Sequence, residues 1–145
     1  YGKDESVMMK YPIDPNASGA FSNNNDYAHV RYADVLMHRA EAINETTGPN
    51  QEAIDLINQI RSRAGASLIS LSDYSSKSAL KTFIMDERRR EFFFEGKLRE
   101  DAIRNGVFIS NAQSRGRPAQ EFHKLFPIPL AELDANKEMT QNPGY

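Results

Sequence analysis

From Asp26 onward the chain acquires a helical rhythm: Val30, Ala33, Met37, Ala40 and Ile43 recur at spacings of three or four, with polar residues between them. This predicts a helix over residues 27–45, with Asp26 placed to cap its first turn. Thr46-Thr47-Gly48-Pro49 stops it, because glycine suits the left-handed cap and proline cannot continue the ladder. Asn50 then caps a second helix, over 50–64, that carries Ala53, Ile54, Ile57, Ile60 and Ala64 on one side. Arg61, Arg63 and Gly65 suit its C-terminal pole, and the short linker makes the two helices antiparallel neighbours.

Residues 67–78 are serine-rich with Leu68, Ile69, Leu71 and Tyr74 interspersed, the texture of a loop that tucks some apolar side chains beneath itself. A third helix follows over 77–95 and Gly96 interrupts it. Leu98, Ala102 and Ile103, closed by Asn105-Gly106, describe a fourth over 97–105, and residues 110–120 read as a polar, basic loop. Before the helices, residues 1–26 have the prolines, glycine and asparagine run of an irregular lead-in. After them, Pro127 and Pro129 force extended backbone before a helical turn, and Asn142-Pro143-Gly144 makes a closing turn. VFISN is too short to decide as a strand and no other alternation stands out. The expected architecture is mainly α and a single domain over 1–145: lead-in 1–26, helical hairpins 27–105, loop and proline-rich tail 106–145.

The third helix poses the main chemical question, because MDERRREFFFEG sets six charged residues before three consecutive phenylalanines. Stepping about 100° per residue from Leu80, the positions that fall on its side are Phe83, Ile84, Glu87, Glu91, Phe94 and Glu95. The apolar stripe therefore runs through Glu87 and Glu91, and burial of a bare carboxylate costs several kcal/mol. Such acids persist only when paired, and Arg31, Arg39, Arg61, Arg63, Arg88, Arg99 and Arg104 are available as donors, as are loop amides. Phe92, Phe93 and Phe94 spread around the axis, which predicts an enclosed helix end and core anchors.

Composition removes several function classes. The chain has 145 residues, a formal charge of −2 and 26% charged residues of both signs, so it lacks the basic excess of a nucleic-acid binder. With no cysteine, it has no disulfide framework, thiolate metal site or cysteine nucleophile. His29, His38 and His123 lack metal-ligand spacing, and His38 with Glu41 reverses the Glu-x-x-His order of a carboxylate dimetal helix, so neither metal nor cofactor is expected. No apolar run approaches a membrane span. The chain opens with Tyr1, which suggests a piece of a longer or processed protein. Asn44-Glu45-Thr46 fits the N-glycosylation pattern, but it sits at a helix end where Asn and Thr have capping roles.

Taken together, RYADVLMHRAEAINE, AIDLINQIRSRAG, ERRREFFFEGKLREDAIRNG, FPIPLAEL and QNPGY resemble, in this order and spacing, the C-terminal portion of SusD/RagB-type outer-membrane nutrient-binding proteins. Arg31, Ala33 and Glu41 match one family helix, and Asn58, Arg61, Arg63, Ala64 and Gly65 the next. Glu87, Arg88, Glu91, Glu95, Gly96, Asp101 and Arg104 match the acidic–basic motif that follows. One departure is visible, since the arginine expected two residues after Gly96 is Leu98, flanked by Lys97 and Arg99. The resemblance implies an α–α superhelix of tetratricopeptide-like hairpins with long irregular loops. It also implies a cell-surface lipoprotein of a Gram-negative outer membrane, its lipid anchor on a part of the parent chain not present here, which caps a SusC-like TonB-dependent transporter and binds glycans or other nutrients without catalysis.

Within that reading Glu87, Arg88, Glu91, Glu95, Asp101, Arg104, Arg61 and Arg63 are expected to form a structural charge network. Oligosaccharide contacts would come from loop aromatics and amides, of which Tyr11, Asn24 and Tyr74 are the candidates, with Asn16, Asn23 and Asn25 beside them. Arg115 and Arg117 around Gly116 could meet an anionic surface. Two other readings stay open: a tetratricopeptide-like scaffold that binds a protein or peptide, and a glycoside hydrolase that uses Glu87 and Glu91 as its two carboxylates.

Overall fold

A computed structural model describes residues 10, 11, 14–17 and 25–145, and every described element is helical. The chain gathers into two compact units, Tyr1–Glu95 and Gly96–Tyr145.

The first unit holds α1 (Tyr32–Thr47), α2 (Gln51–Arg63) and α3 (Lys77–Glu91), and α1 packs on both of the others. Its core is the apolar stripe of each helix: Leu36, Met37 and Ala40 meet Ala53, Ile54, Ile57 and Ile60, with Leu80, Ile84 and Phe92 closing the third side. The linker between α1 and α2 follows its sequence chemistry. Gly48 has φ 81°, its amide returns to the Asn44 carbonyl, and the Asn50 side chain accepts from the Ala53 amide at 3.0 Å.

Asn58 positions the loop after α2, since its side-chain amide donates to the Ile69 carbonyl and accepts from the Ile69 amide, both at 2.9 Å. That pair turns Ile69, Leu71 and Tyr74 onto the core and leaves Leu68 in solvent. Ser76 starts α3 by accepting from the Ala79 amide.

Two helix boundaries differ from expectation. α1 begins after Arg31 rather than at Tyr27, and Asp26 does not cap it. Residues 27–31 stay out of the helix because Tyr27 and Arg31 reach to the end of α3 instead of winding up. α3 ends at Glu91 rather than Glu95, and Phe94 takes a left-handed backbone, φ 67°. Once the helical step stops, the three phenylalanines no longer distribute around one axis. Phe92 is buried, whereas Phe93 and Phe94 are 59% and 63% exposed, so the expected enclosure of all three is overturned.

The second unit holds α4 (Lys97–Arg104), α5 (Phe108–Gln113) and α6 (Leu130–Ala135), with a tight turn at Glu121–Lys124. α5 occupies part of the stretch expected to be loop, because Phe108, Ile109 and Ala112 supply a partly buried face. Arg99 organises this unit. It donates to the carbonyls of His123 and Lys124 at 3.2 and 2.9 Å and lies over the rings of Phe126 and Phe108 at 4.1 and 5.2 Å. Leu98, the departure from the family pattern, faces solvent. The C-terminal residues clamp the proline segment: Gln141 exchanges two hydrogen bonds with Ile128, Asn142 donates to the Phe126 carbonyl, and the Tyr145 hydroxyl donates to that of Leu125. A Cβ at Gly144, φ 99°, would lie 2.5 Å from the Phe122 ring, so only glycine fits there.

Candidate functional site

The acids of α3 and of the turn after it lie on the side of the first unit where cations converge. Glu87 accepts from Arg61 at 2.7 Å and from Arg90 at 2.7 and 3.2 Å. Glu91 accepts from Arg63 at 2.6 and 2.7 Å and from Arg31 at 2.8 Å. Glu95 receives both Nε and a terminal nitrogen of Arg31, each at 2.8 Å, and the Lys10 ammonium. Arg31 therefore bridges two carboxylates, and each of the three acids has two cationic side chains as donors.

The protonation balance follows from these contacts. Hydrogen bonding to Glu95 raises the Arg31 pKa against the opposing effect of burial, with Glu91 adding to the rise. Burial pushes the Glu95 carboxyl up, but hydrogen bonds from Arg31 and Lys10 outweigh it and the net direction is down. A carboxylate held in this way stays ionised and is a poor proton donor.

Arg88, the expected motif arginine, turns towards α1. It is almost fully buried, pairs with Asp34 at 2.9 Å and lies 4.9 Å from the Phe92 ring centroid. The sequence pattern did not single out Asp34. Its available signal was its position between Ala33 and Met37 on the inward face, four residues before His38, whose Nδ1 stands 3.2 Å away. Arg39 pairs with Glu52 on the surface. Asp101 and Arg104 pair with each other at 3.0 Å in the second unit. At the other end of α3, Lys77 and Lys81 hydrogen-bond Glu45 and lower its pKa to about 2.

Among the ligand candidates, Tyr11 stacks on Tyr27 with ring centroids 5.7 Å apart. Tyr74 is half-buried against Phe83 at 5.0 Å, and burial raises its pKa. Asn16 and Asn25 are exposed, while Asn23 and Asn24 lie outside the described residues. Arg115 and Arg117 are exposed beyond α5. The Asn44 side chain is fully buried and donates to the Lys77 carbonyl at 2.9 Å, which withdraws the glycosylation pattern from the surface. Among the described residues no group of three His, Asp or Glu could hold a metal, and no helix is long and apolar enough to cross a membrane.

Comparison with known proteins places this geometry in context. The model of the SusD family matches residues 3–145. Starch-binding protein SusD of Bacteroides thetaiotaomicron is 30% identical over 128 residues, 83% of this chain and 22% of that protein. SusD-like protein P2 of Formosa agariphila is 34% identical over 137 residues, 85% of this chain and 26% of its own length. In three dimensions, a SusD homolog from Bacteroides thetaiotaomicron aligns with TM-score 0.72 at 32% identity, covering 86% of this chain and 28% of the other. Surface glycan-binding protein A from Bacteroides uniformis aligns with TM-score 0.66 at 30% identity, covering 90% and 30%. The chain thus spans about a quarter of the length of the curated relatives it matches.

Proposed function

Because this chain belongs to the SusD family, we propose that it forms part of a cell-surface, non-catalytic nutrient-binding protein whose ligand is an oligosaccharide. Relatives at about this level of identity are named as starch-binding and surface glycan-binding proteins, which favours a glycan over other nutrients. The whole protein would sit on a Gram-negative outer membrane through a lipid anchor elsewhere in its chain and deliver ligand to a SusC-like TonB-dependent transporter.

One observation carries the non-catalytic part of this reading: Arg31 closes Glu91 and Glu95 together, while Arg63 and Lys10 occupy their outer sides and Arg61 with Arg90 occupy Glu87. A glycoside hydrolase needs one carboxyl that holds a proton and one that is free to attack or to activate water. Acids that are each held by two cationic side chains are poorly suited to either role. Their side chains contribute architecture, by tying α2, α3 and the segment before α1 to one another.

The test is a glycan array probed with the protein and with its Glu87→Gln and Glu91→Gln variants. Oligosaccharide binding by the wild type is expected, together with variants that lose melting temperature rather than any turnover. A wild type that binds a protein partner and no glycan would instead favour the scaffold reading.

A further inference from the structure

The C-terminal end of α3 presents a small anionic socket, made of the Glu95 carboxylate and the main-chain carbonyls of Glu91 and Glu95. Three groups from the segment before α1 enter it. Lys10 donates to the Glu91 carbonyl and the Glu95 carboxylate, the Tyr27 hydroxyl donates to the Glu95 carbonyl at 2.7 Å, and Arg31 grips the carboxylate with two nitrogens. The negative end of a helix favours such cations. These are polar contacts, so a charged latch and not an apolar core holds Lys10, Tyr27 and Arg31 at this helix end.

What the latch holds is a set of rings. Tyr11, next to Lys10, takes a left-handed backbone, φ 55°, an uncommon state for a bulky residue, and lays its ring on Tyr27 with an interplanar angle of 23°. Tyr27 is anchored by its hydroxyl yet 55% exposed, and the His29 ring tilts against it at 6.4 Å. Aromatic rings with polar rims, held beside a buried carboxylate and open to solvent at Tyr27, have the chemistry of a pyranose subsite: apolar faces for the C–H side of a sugar and phenol oxygens at the rim for its hydroxyls.

We propose that Tyr11, Tyr27 and His29 form an oligosaccharide-binding shelf and that Glu95 is its positioning residue. This rests on the glycan-binding reading above. Tyr74, by contrast, is engaged with Phe83 at the edge of the core and belongs to packing.

The experiment measures affinity for α- and β-glucan oligosaccharides by calorimetry and amide exchange over residues 25–31, for wild type, Tyr27→Ala, Tyr27→Phe and Glu95→Gln. Tyr27→Ala is expected to weaken binding about tenfold, the scale of one well-placed aromatic contact. Glu95→Gln is expected to speed exchange in residues 25–31, to leave α2 protected and to weaken binding by a similar factor, with Tyr27→Phe between it and wild type. Unchanged affinity in a folded Tyr27→Ala variant overturns the shelf, and faster exchange with unchanged affinity in Glu95→Gln overturns the positioning role. A wild type that binds no oligosaccharide removes both the glycan-binding reading and the shelf, whereas a latch that opens in Glu95→Gln would still register in exchange, so the two failures are distinguishable.

Discussion

Arg88 shows at the scale of one residue why charge is buried in this protein. Its guanidinium lies beneath the surface with Asp34 as an ionic partner and Phe92 as its apolar cover. Removing the guanidinium takes away the buried partner of Asp34 and leaves it to His38 on the rim, so Arg88→Met is expected to cost about 2–4 kcal/mol in denaturant unfolding, and adding Asp34→Leu to recover part of that loss. Glu45 and Glu95 contribute to the acid response. Both have folded-state pKa values lowered from the ordinary carboxylate value, Glu45 to about 2. Their stabilising contribution is therefore complete above about pH 4.5 and is lost as pH falls through the folded values. A pH series of melting temperatures should hold level near neutrality and decline below about pH 4.5, less steeply in Glu45→Gln. The inward spacing of Glu87 and Glu91 was readable from the helical step. Their cations were not, because the donors that join other elements to these acids and to Glu95 arrive from 26 to 85 residues away in sequence.

The elements were legible where local chemistry decides them. Gly48, Asn50 and Gly96 mark boundaries close to those observed, because each solves a backbone problem within its own turn. The start of α1 and the end of α3 were not legible, because the same tertiary contact moves both: Tyr27 and Arg31 leave the helix to meet Glu91 and Glu95. α5 escaped notice since its six residues carry too short a pattern to separate from loop. Two substitutions measure how firmly α2 is held. Ile57, fully buried among the three helices, should cost about 2–5 kcal/mol as Ile57→Ala. Asn50→Ala, which removes only the cap, should cost about 1 kcal/mol, and thermal or urea unfolding resolves the difference.

Across the whole molecule, the family was legible because five separated segments each keep a structural role, as core stripe, cap, charged helix, proline segment or closing turn. The two compact units have distinct supports, an apolar three-helix core with its cation-bound acids in one, and Arg99 with the clamped proline segment in the other. The ligand was not legible, since side chains that stack on a sugar are ordinary loop residues until the fold brings them together. The central claim is that the glutamates of α3 serve architecture within a binding protein. Its most direct test is prolonged incubation of the protein with an oligosaccharide shown to bind it, followed by an assay for newly formed reducing ends. Stable binding with no release of reducing ends is the predicted result. Release that disappears in Glu87→Gln or Glu91→Gln while the melting temperature is unchanged would contradict it.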